Sequence, residues 1–138
     1  MKNTINMQDM RYLNLFGKLT QVTTRFCFKY NEMIIFCVPR KLISKSIGKE
    51  GRNIKKLNDI LRRKIKVIAI PSGIEDAREF IEDIVSPVMF KDLDVKNNEI
   101  ILTAGSQNKA ALLGRNKRRF LELQNIVKDY FGKELKII

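Results

Sequence analysis

Histidine and tryptophan are absent from this 138-residue chain, and cysteine occurs only twice. Without histidine, the chain lacks the commonest general base and the commonest metal ligand in proteins. Ser–His–Asp triads, Cys–His nucleophilic sites and histidine-ligated zinc sites are therefore excluded. Cys27 and Cys37 fall in adjacent predicted strands, where a disulfide depends on a register that the sequence leaves open. The simpler expectation is two reduced thiols, no metal and no cofactor.

Long hydrophobic runs are absent as well. The longest apolar run, Met33–Val38, has the length of a strand and is far too short to cross a membrane. Residues 1–10 are polar and lack the apolar core of a targeting signal. These features predict a soluble, cytoplasmic protein that does not associate with a membrane.

Acidic residues are scarce relative to basic ones. The chain carries 27 Lys and Arg against 15 Asp and Glu, which gives a formal net charge of +12. A globular chain with this excess favours a polyanionic partner, most often nucleic acid. The alternative is a basic surface that has no specific partner.

Hydrophobic periodicity predicts one order of elements that occurs twice: helix, strand, strand, helix, helix, strand. The first set comprises residues 6–19, 22–30, 33–38, 39–47, 51–62 and 64–70. The second set comprises residues 74–85, 88–96, 99–104, 106–113, 118–131 and 134–138. Pro71, Ser72 and Gly73 break the pattern between them. We therefore predict an α+β protein with two domains, residues 1–71 and 72–138.

For two of these elements, the sequence also predicts which side chains are buried. Residues 22–30 alternate, which predicts a half-buried strand with Phe26 and Phe28 on one face and Cys27 on the other. In the helix at residues 51–62, apolar side chains recur at spacings of three and four, which predicts a buried face. That face comprises Ile54, Leu57, Ile60 and Leu61.

The two sets align with each other at a constant offset, without a gap, from Val22 to Gly48. Asn97 in one predicted hairpin turn matches Asn31 in the other, and Gly114 matches Gly48. Shared periodicity alone produces part of such a match. The matching glycine and the gapless register nevertheless indicate an internal duplication.

The sequence Gly48-Lys49-Glu50-Gly51 lies between two predicted helices. Glycine lets the chain turn sharply and lets the backbone of a ligand approach closely, and the helix that follows directs N–H groups towards a phosphate. Basic residues surround the turn: Lys45, Lys49, Arg52, Lys55 and Lys56. An isolated Gly-x-x-Gly is usually an ordinary helix cap. Its place after a hairpin, in a basic cluster and in a duplicated unit, favours phosphate binding.

The matching turn reads Gly114-Arg115-Asn116-Lys117, so a lysine stands where the first turn has its second glycine. Asn116 and Lys117 are candidates for the left-handed backbone angles of this position, asparagine more readily than most residues. Basic residues crowd this turn too: Lys109, Arg115, Lys117, Arg118 and Arg119. Two hypotheses follow. The turn binds a nucleic-acid backbone with charge in place of close approach, or it is a basic surface for a protein partner.

Residues 47–57 resemble the Gly-x-x-Gly signature of a KH domain. The order of elements is that of the type II, prokaryotic form, which has a three-stranded mixed sheet. The tandem pair resembles the NusA-like transcription termination and antitermination proteins of archaea. This resemblance is closest at residues 7–49, 73–77 and 104–119, and it covers nearly the whole chain.

The resemblance implies single-stranded RNA as the ligand and no enzymatic activity. A KH module holds about four nucleotides, with its Gly-x-x-Gly loop against the RNA backbone. The implied RNA-binding residues of the first domain are Lys45, Ile47, Gly48, Lys49, Glu50, Gly51, Arg52, Asn53, Lys55 and Lys56. Those of the second domain are Lys109, Gly114, Arg115, Asn116, Lys117, Arg118 and Arg119. Ile43, Ile47 and Ile54 are candidates for an apolar groove that receives bases, and equally for the core.

The resemblance also implies regulation of transcription termination or antitermination through nascent RNA, with RNA polymerase or other transcription factors as candidate partners. Bacterial relatives carry a polymerase-binding region and an S1 barrel, for which this chain has no matching segment, so polymerase contact is not carried over. A ribosome-associated or RNA-chaperone KH protein is the alternative. Co-purification with polymerase or with ribosomes would distinguish the two.

Two other classes fit the sequence less well. An enzyme would have candidate carboxylates at Glu75, Asp76, Glu79, Glu82 and Asp83. These carboxylates lie along one predicted helix, and such a row is typical of a solvent-exposed helix face. No Gly-x-x-x-x-Gly-Lys loop is present. A helix-turn-helix DNA-binding protein shares the two helices and the turn. The hairpin before each pair of helices and the strand after it favour a KH domain instead.

Overall fold

The computed structural model describes residues 6–138. This part of the chain divides into two compact units, between Ile70 and Pro71. Residues 1–5 of the predicted first domain lie outside the described residues. None of the helices within residues 6–138 combines the length and the apolar character that crossing a bilayer requires.

The first unit contains a three-stranded mixed sheet and three α-helices. In chain order, one helix precedes the first strand, and the other two lie between the second and third strands. Its elements are α1 (Met7–Thr20), β1 (Phe26–Tyr30), β2 (Met33–Val38), α2 (Ile43–Ile47), α3 (Arg52–Leu61) and β3 (Lys64–Ala69). The central strand β2 pairs antiparallel with β1 and parallel with β3. Parallel neighbours need a long crossover. Here α2 and α3 supply it, so the turn between these helices lies within the crossover.

The second unit repeats the order and the topology. Its elements are α4 (Ala77–Val85), β4 (Asp92–Lys96), β5 (Glu99–Thr103), α5 (Ser106–Leu113), α6 (Arg118–Phe131) and β6 (Glu134–Ile137). Strand β5 pairs antiparallel with β4 and parallel with β6. The chain is thus an α+β protein with two three-stranded mixed sheets, as the sequence predicted. The shared topology agrees with an internal duplication.

Aromatic and aliphatic side chains from α1, β2 and α3 form the core of the first unit. Phe16 and Phe36 are fully buried, and their rings stack with centroids 4.3 Å apart. Leu57 of α3 belongs to the same buried cluster and has no exposed surface. Burial of a leucine side chain contributes about 2 kcal/mol. This contact holds α3, and with it the turn that precedes α3, against the sheet.

The predicted buried face of α3 needs one correction, at Ile60. Leu57 is buried and Leu61 packs against the core cluster, but Ile60 is 55% exposed. Consecutive helical residues are about 100° apart around the axis. With Leu57 and Leu61 directed at the sheet, Ile60 lies beyond the edge of the contact.

Both first strands are shorter than the sequence predicted. The strand expected over residues 22–30 begins at Phe26, which pairs with Cys37. A longer ladder would place Thr24 opposite Pro39, which has no N–H to donate. The strand expected over residues 88–96 begins at Asp92, because its partner strand β5 ends and α5 starts shortly after it.

The hairpin register decides the state of the cysteines. Cys37 pairs with Phe26, and Cys27 pairs with Phe36. Side chains alternate between the faces of a sheet, so the two sulfur atoms lie on opposite faces. Neither Cys27 nor Cys37 takes part in a disulfide. Cys27 packs against the core cluster, so the face of β1 that covers this core is that of Cys27 and not that of Phe26 and Phe28.

Both thiols are expected to react slowly in the folded protein. Burial, together with the nearby Asp9 carboxylate, raises the pKa of Cys27 to about 12 against the smaller opposing effect of Lys29. The reactive thiolate is therefore scarce at neutral pH. Cys37 is fully buried. A colorimetric disulfide reagent should detect two thiols only after denaturant is added. Prompt reaction of one thiol in buffer would contradict this placement.

Candidate nucleic-acid interface

The first predicted turn joins α2 to α3 through a single 3₁₀ turn, Lys49–Gly51. Gly48, Glu50 and Gly51 have positive φ angles of 81°, 57° and 74°. The N–H of Gly48 donates to the carbonyl of Ser44 at 3.0 Å, and the N–H of Gly51 donates to the carbonyl of Gly48 at 3.1 Å. The chain therefore reverses tightly here, and α3 starts directly after the turn.

The two glycines of this turn are needed for different reasons. A Cβ on Gly48 would lie 3.0 Å from the side-chain carbon Cγ of Asn53 and 3.1 Å from its backbone nitrogen. Glycine is therefore required at this position, because a Cβ would lie too close to Asn53 and because the φ angle is positive. A Cβ on Gly51 would meet nothing within 4 Å. Gly51 thus leaves open space beside the backbone, from which a ligand can approach closely.

Asn53 holds the turn together from within. Its side-chain amide donates to the carbonyl oxygens of Lys45, at 3.3 Å, and Ser46, at 3.2 Å. Carbonyls in the last turn of a helix have no helical donor, so these bonds satisfy groups at the end of α2. The sequence assigned Asn53 to RNA contact. The structure shows a positioning contact of its amide, and the RNA contact stays a prediction.

A groove of about 430 Å³ lies beside the first turn. It is lined by Lys49, Glu50, Arg52, Lys55, Lys56 and Asp59. Four cations against two carboxylates make the groove electropositive, and all four cationic residues are exposed. The structure therefore brings together four of the five basic residues that the sequence predicted around this turn. Sequence reasoning missed Asp59, although its position one helical turn after Lys55 would have placed it on the same side of α3.

Other predicted residues of the first domain lie elsewhere. Lys45 is exposed on α2 and does not belong to the lining of the groove. Ile43 packs against the core cluster, which favours the core over the base groove for this residue. Ile47 and Ile54 are half-buried.

The second turn has the same backbone conformation as the first. Gly114, Asn116 and Lys117 have φ angles of 72°, 56° and 59°. The N–H of Gly114 donates to the carbonyl of Ala110 at 3.0 Å, and the N–H of Lys117 donates to that of Gly114 at 3.2 Å. Both candidates for left-handed angles, Asn116 and Lys117, take them. For Lys117 this conformation costs about 1 kcal/mol relative to glycine.

Arg119 repeats the role of Asn53 in the second unit. Its guanidinium donates to the carbonyl of Ala111 at 3.2 Å, and Ala111 occupies the position that matches Lys45. A Cβ on Gly114 would lie 2.9 Å from Cγ of Arg119, so this glycine is also required for space. The guanidinium of Arg119 thus contacts the end of α5, and its predicted RNA contact stays a prediction.

The other residues of the second unit that were predicted to bind RNA lie mostly on the turn itself. Arg115, Asn116, Lys117 and Arg118 are exposed, and Lys109 is half-buried on α5. In the first unit, by contrast, Lys55 and Lys56 extend the positive charge along α3. Leu121 and Glu122 occupy the matching positions of α6. The cations predicted to bind RNA in the second unit therefore lie mainly at the turn and do not continue along α6 at these two positions.

Carboxylates of the α4 segment make structural contacts. The Asp76 carboxylate accepts from the N–H of Ser72 at 2.8 Å. Arg78 pairs with Glu82 and with Asp92, each at 3.4 Å, which connects α4 to β4. Within residues 6–138, no three histidine, cysteine or acidic side chains are grouped so that they could hold a metal ion.

Two archaeal proteins are similar in sequence. The probable transcription termination protein NusA of Methanococcus vannielii is 31% identical over 104 residues, which cover 74% of this chain and 58% of that protein. The protein of the same name from Methanocaldococcus jannaschii is 26% identical over 95 residues, which cover 69% of this chain and 50% of that protein. This chain therefore spans little more than half the length of these relatives. No family model matches the sequence.

The fold is also found in a solved structure. The crystal structure of APE1850 superposes with a TM-score of 0.70 at 23% identity, covering 97% of this chain and 100% of that one. At this identity the likeness concerns the fold alone. The two sequence matches lead to one conclusion: the chain is similar to the NusA-like termination proteins of archaea, as its motifs indicated.

Proposed function

We propose that this chain binds single-stranded RNA through two tandem type II KH domains, residues 1–71 and 72–138, and acts in transcription termination or antitermination by contacting nascent RNA. The proposal has three supports: the topology of each unit, the repeated turn, and the basic residues at both turns. The process is proposed from the names of the two archaeal relatives.

The repeated turn is the observation that carries the proposal. Three residues with positive φ occur at matching places in both units, and each turn is exposed and flanked by cations. Such angles are unfavourable for most residues, and Glu50, Asn116 and Lys117 take them nonetheless. The strained conformation recurs beside exposed cations in both units, and this combination favours a functional demand on the turn.

The groove of the first unit suits a flexible, negatively charged strand. In this proposal Lys49, Arg52 and Lys56 contact phosphates, and the RNA backbone approaches the turn at Gly51. Glu50 and Asp59 supply hydrogen-bond acceptors beside these cations. Carboxylates of this kind accept hydrogen bonds from the amino groups of bases or from the ribose 2′-hydroxyl. Phosphate contacts alone do not recognise these groups.

Direct binding tests the proposal. A fluorescent single-stranded RNA of roughly ten nucleotides, enough for two clamps of about four, is titrated with the whole chain. We expect binding that weakens with salt, and poor competition by duplex DNA of the same sequence. Absence of binding at low salt would overturn the proposal. Equal competition by duplex DNA would indicate a basic surface without selectivity for single strands.

The proposed process needs a separate measurement. RNA polymerase and other transcription factors are the partners that the process suggests. We expect RNA polymerase, rather than ribosomes, to co-purify with the tagged chain from its own cells after nuclease treatment. Recovery of ribosomes alone would indicate that the chain binds RNA in translation and not in transcription.

A further inference from the structure

The two turns present different chemistry on the same backbone. At the two central positions, Glu50 and Gly51 of the first turn are replaced by Asn116 and Lys117 of the second. Matching φ angles show that neither exchange changes the course of the chain. The second turn therefore lacks an anion and carries an additional cation at equivalent places.

The exchange at Gly51 also changes how close a ligand can come. A Cβ at Gly51 would meet nothing within 4 Å, so the first turn leaves this space empty. In the second turn the side chain of Lys117, an exposed residue, begins in the equivalent space. A strand that approaches the second turn meets an ammonium group before it reaches the backbone.

We propose that the two turns hold the RNA backbone by different means, and that Lys117 is a phosphate-binding residue of the second turn. This inference rests on the proposed function and assigns the means by which each turn acts. The first turn adds close approach at Gly51 to the phosphate contacts of its groove, so that the ribose and bases lie within reach of backbone groups. The second turn binds through the charges of Lys117, Arg115 and Arg118, which attract phosphate without regard to sugar or base.

Lys117 can be tested without endangering the fold. Its left-handed conformation suits glycine better than lysine, and its side chain is exposed. Lys117→Gly therefore removes the charge while it relieves strain in the turn. Lys136→Ala is the matched control, because it removes one exposed cation from β6, outside both turns.

The experiment measures affinity for a ten-nucleotide oligouridylate between about 50 and 200 mM salt. Lys117→Gly is expected to lower the affinity by about two- to fivefold, the upper part of the range for one exposed ion pair. The slope of log K against log salt should decrease by about 0.7, the value for one phosphate contact on a single strand. Lys136→Ala should leave the slope unchanged, and Lys117→Gly should not lower the melting temperature.

Gly51→Lys is the reciprocal variant. It should steepen the salt slope by about 0.7 and reduce the preference for RNA over DNA of the same sequence, because the added side chain blocks close approach. A Lys117→Gly slope equal to that of the wild type or of Lys136→Ala would overturn the inference. An RNA preference unchanged by Gly51→Lys would overturn its first half. Failure of the wild type to bind RNA would instead refute the proposed function.

Discussion

Reversal of two charges in the groove, by Lys49→Glu together with Lys56→Glu, is expected to weaken RNA binding by more than about tenfold. Each substitution removes a phosphate contact and adds repulsion, in a groove that already holds Glu50 and Asp59. Loss of two contacts should lower the salt slope by about 1.4. Both lysines are exposed, so their replacement should alter the stability of the fold little. Fluorescence anisotropy with the ten-nucleotide RNA measures both quantities.

A matched control separates the groove from the net charge. Arg11→Glu together with Lys136→Glu produces the same change in net charge at exposed positions on α1 and β6. We expect this control to lower affinity far less than the groove variant, because long-range attraction between exposed charges is screened at moderate salt. If the two variants weaken binding equally, the basic surface as a whole attracts RNA and the groove is not a site.

Gly48→Ala is expected to lower the free energy of unfolding by about 3 kcal/mol, whereas Gly51→Ala should lower it by about 1 kcal/mol. Both residues have positive φ, so both replacements strain the backbone. Only at Gly48 does the new Cβ also approach Asn53, at 3.0 Å from its side chain and 3.1 Å from its backbone nitrogen. Urea denaturation followed by circular dichroism gives both free energies.

A double-mutant cycle identifies the contact responsible. Asn53→Ala in the Gly48→Ala background removes the side-chain part of the clash, so the cost of the double variant should be smaller than the sum of the single costs. The same Asn53→Ala change also breaks the bonds to Lys45 and Ser46, which is why the single variant must be measured. Equal costs for Gly48→Ala and Gly51→Ala would show that space at Gly48 is not limiting.

Much of the secondary structure could be predicted from local patterns. The strand Met33–Val38 and the helix Arg118–Phe131 have the bounds that periodicity indicated. The Gly-x-x-Gly turn, its surrounding cations and the duplication were also evident, because glycine positions and charge are properties of short segments. The resemblance to archaeal NusA-like proteins added the expected topology.

Other features depend on partners distant in the chain. The first strand starts at Phe26 and not at Val22 because its neighbour ends at Val38, directly before Pro39, and only the pairing of strands reveals this. Ile60 is exposed because the sheet selects which side of α3 it covers. Periodicity predicts which side chains of an element share a face. It does not show which other element packs against that face.

The sequence by itself determined the order of the elements, the two basic turns and the exclusion of histidine chemistry. Tertiary structure alone decided that the cysteines lie on opposite faces, that Asn53 and Arg119 hold the turns from within, and that Asp59 joins the groove. It also decided that Lys117 takes the backbone angles of a glycine. The physical reason is common to all of these: register, hydrogen-bond partners and backbone strain are set by contacts between elements, and a local pattern of residue types does not contain those contacts.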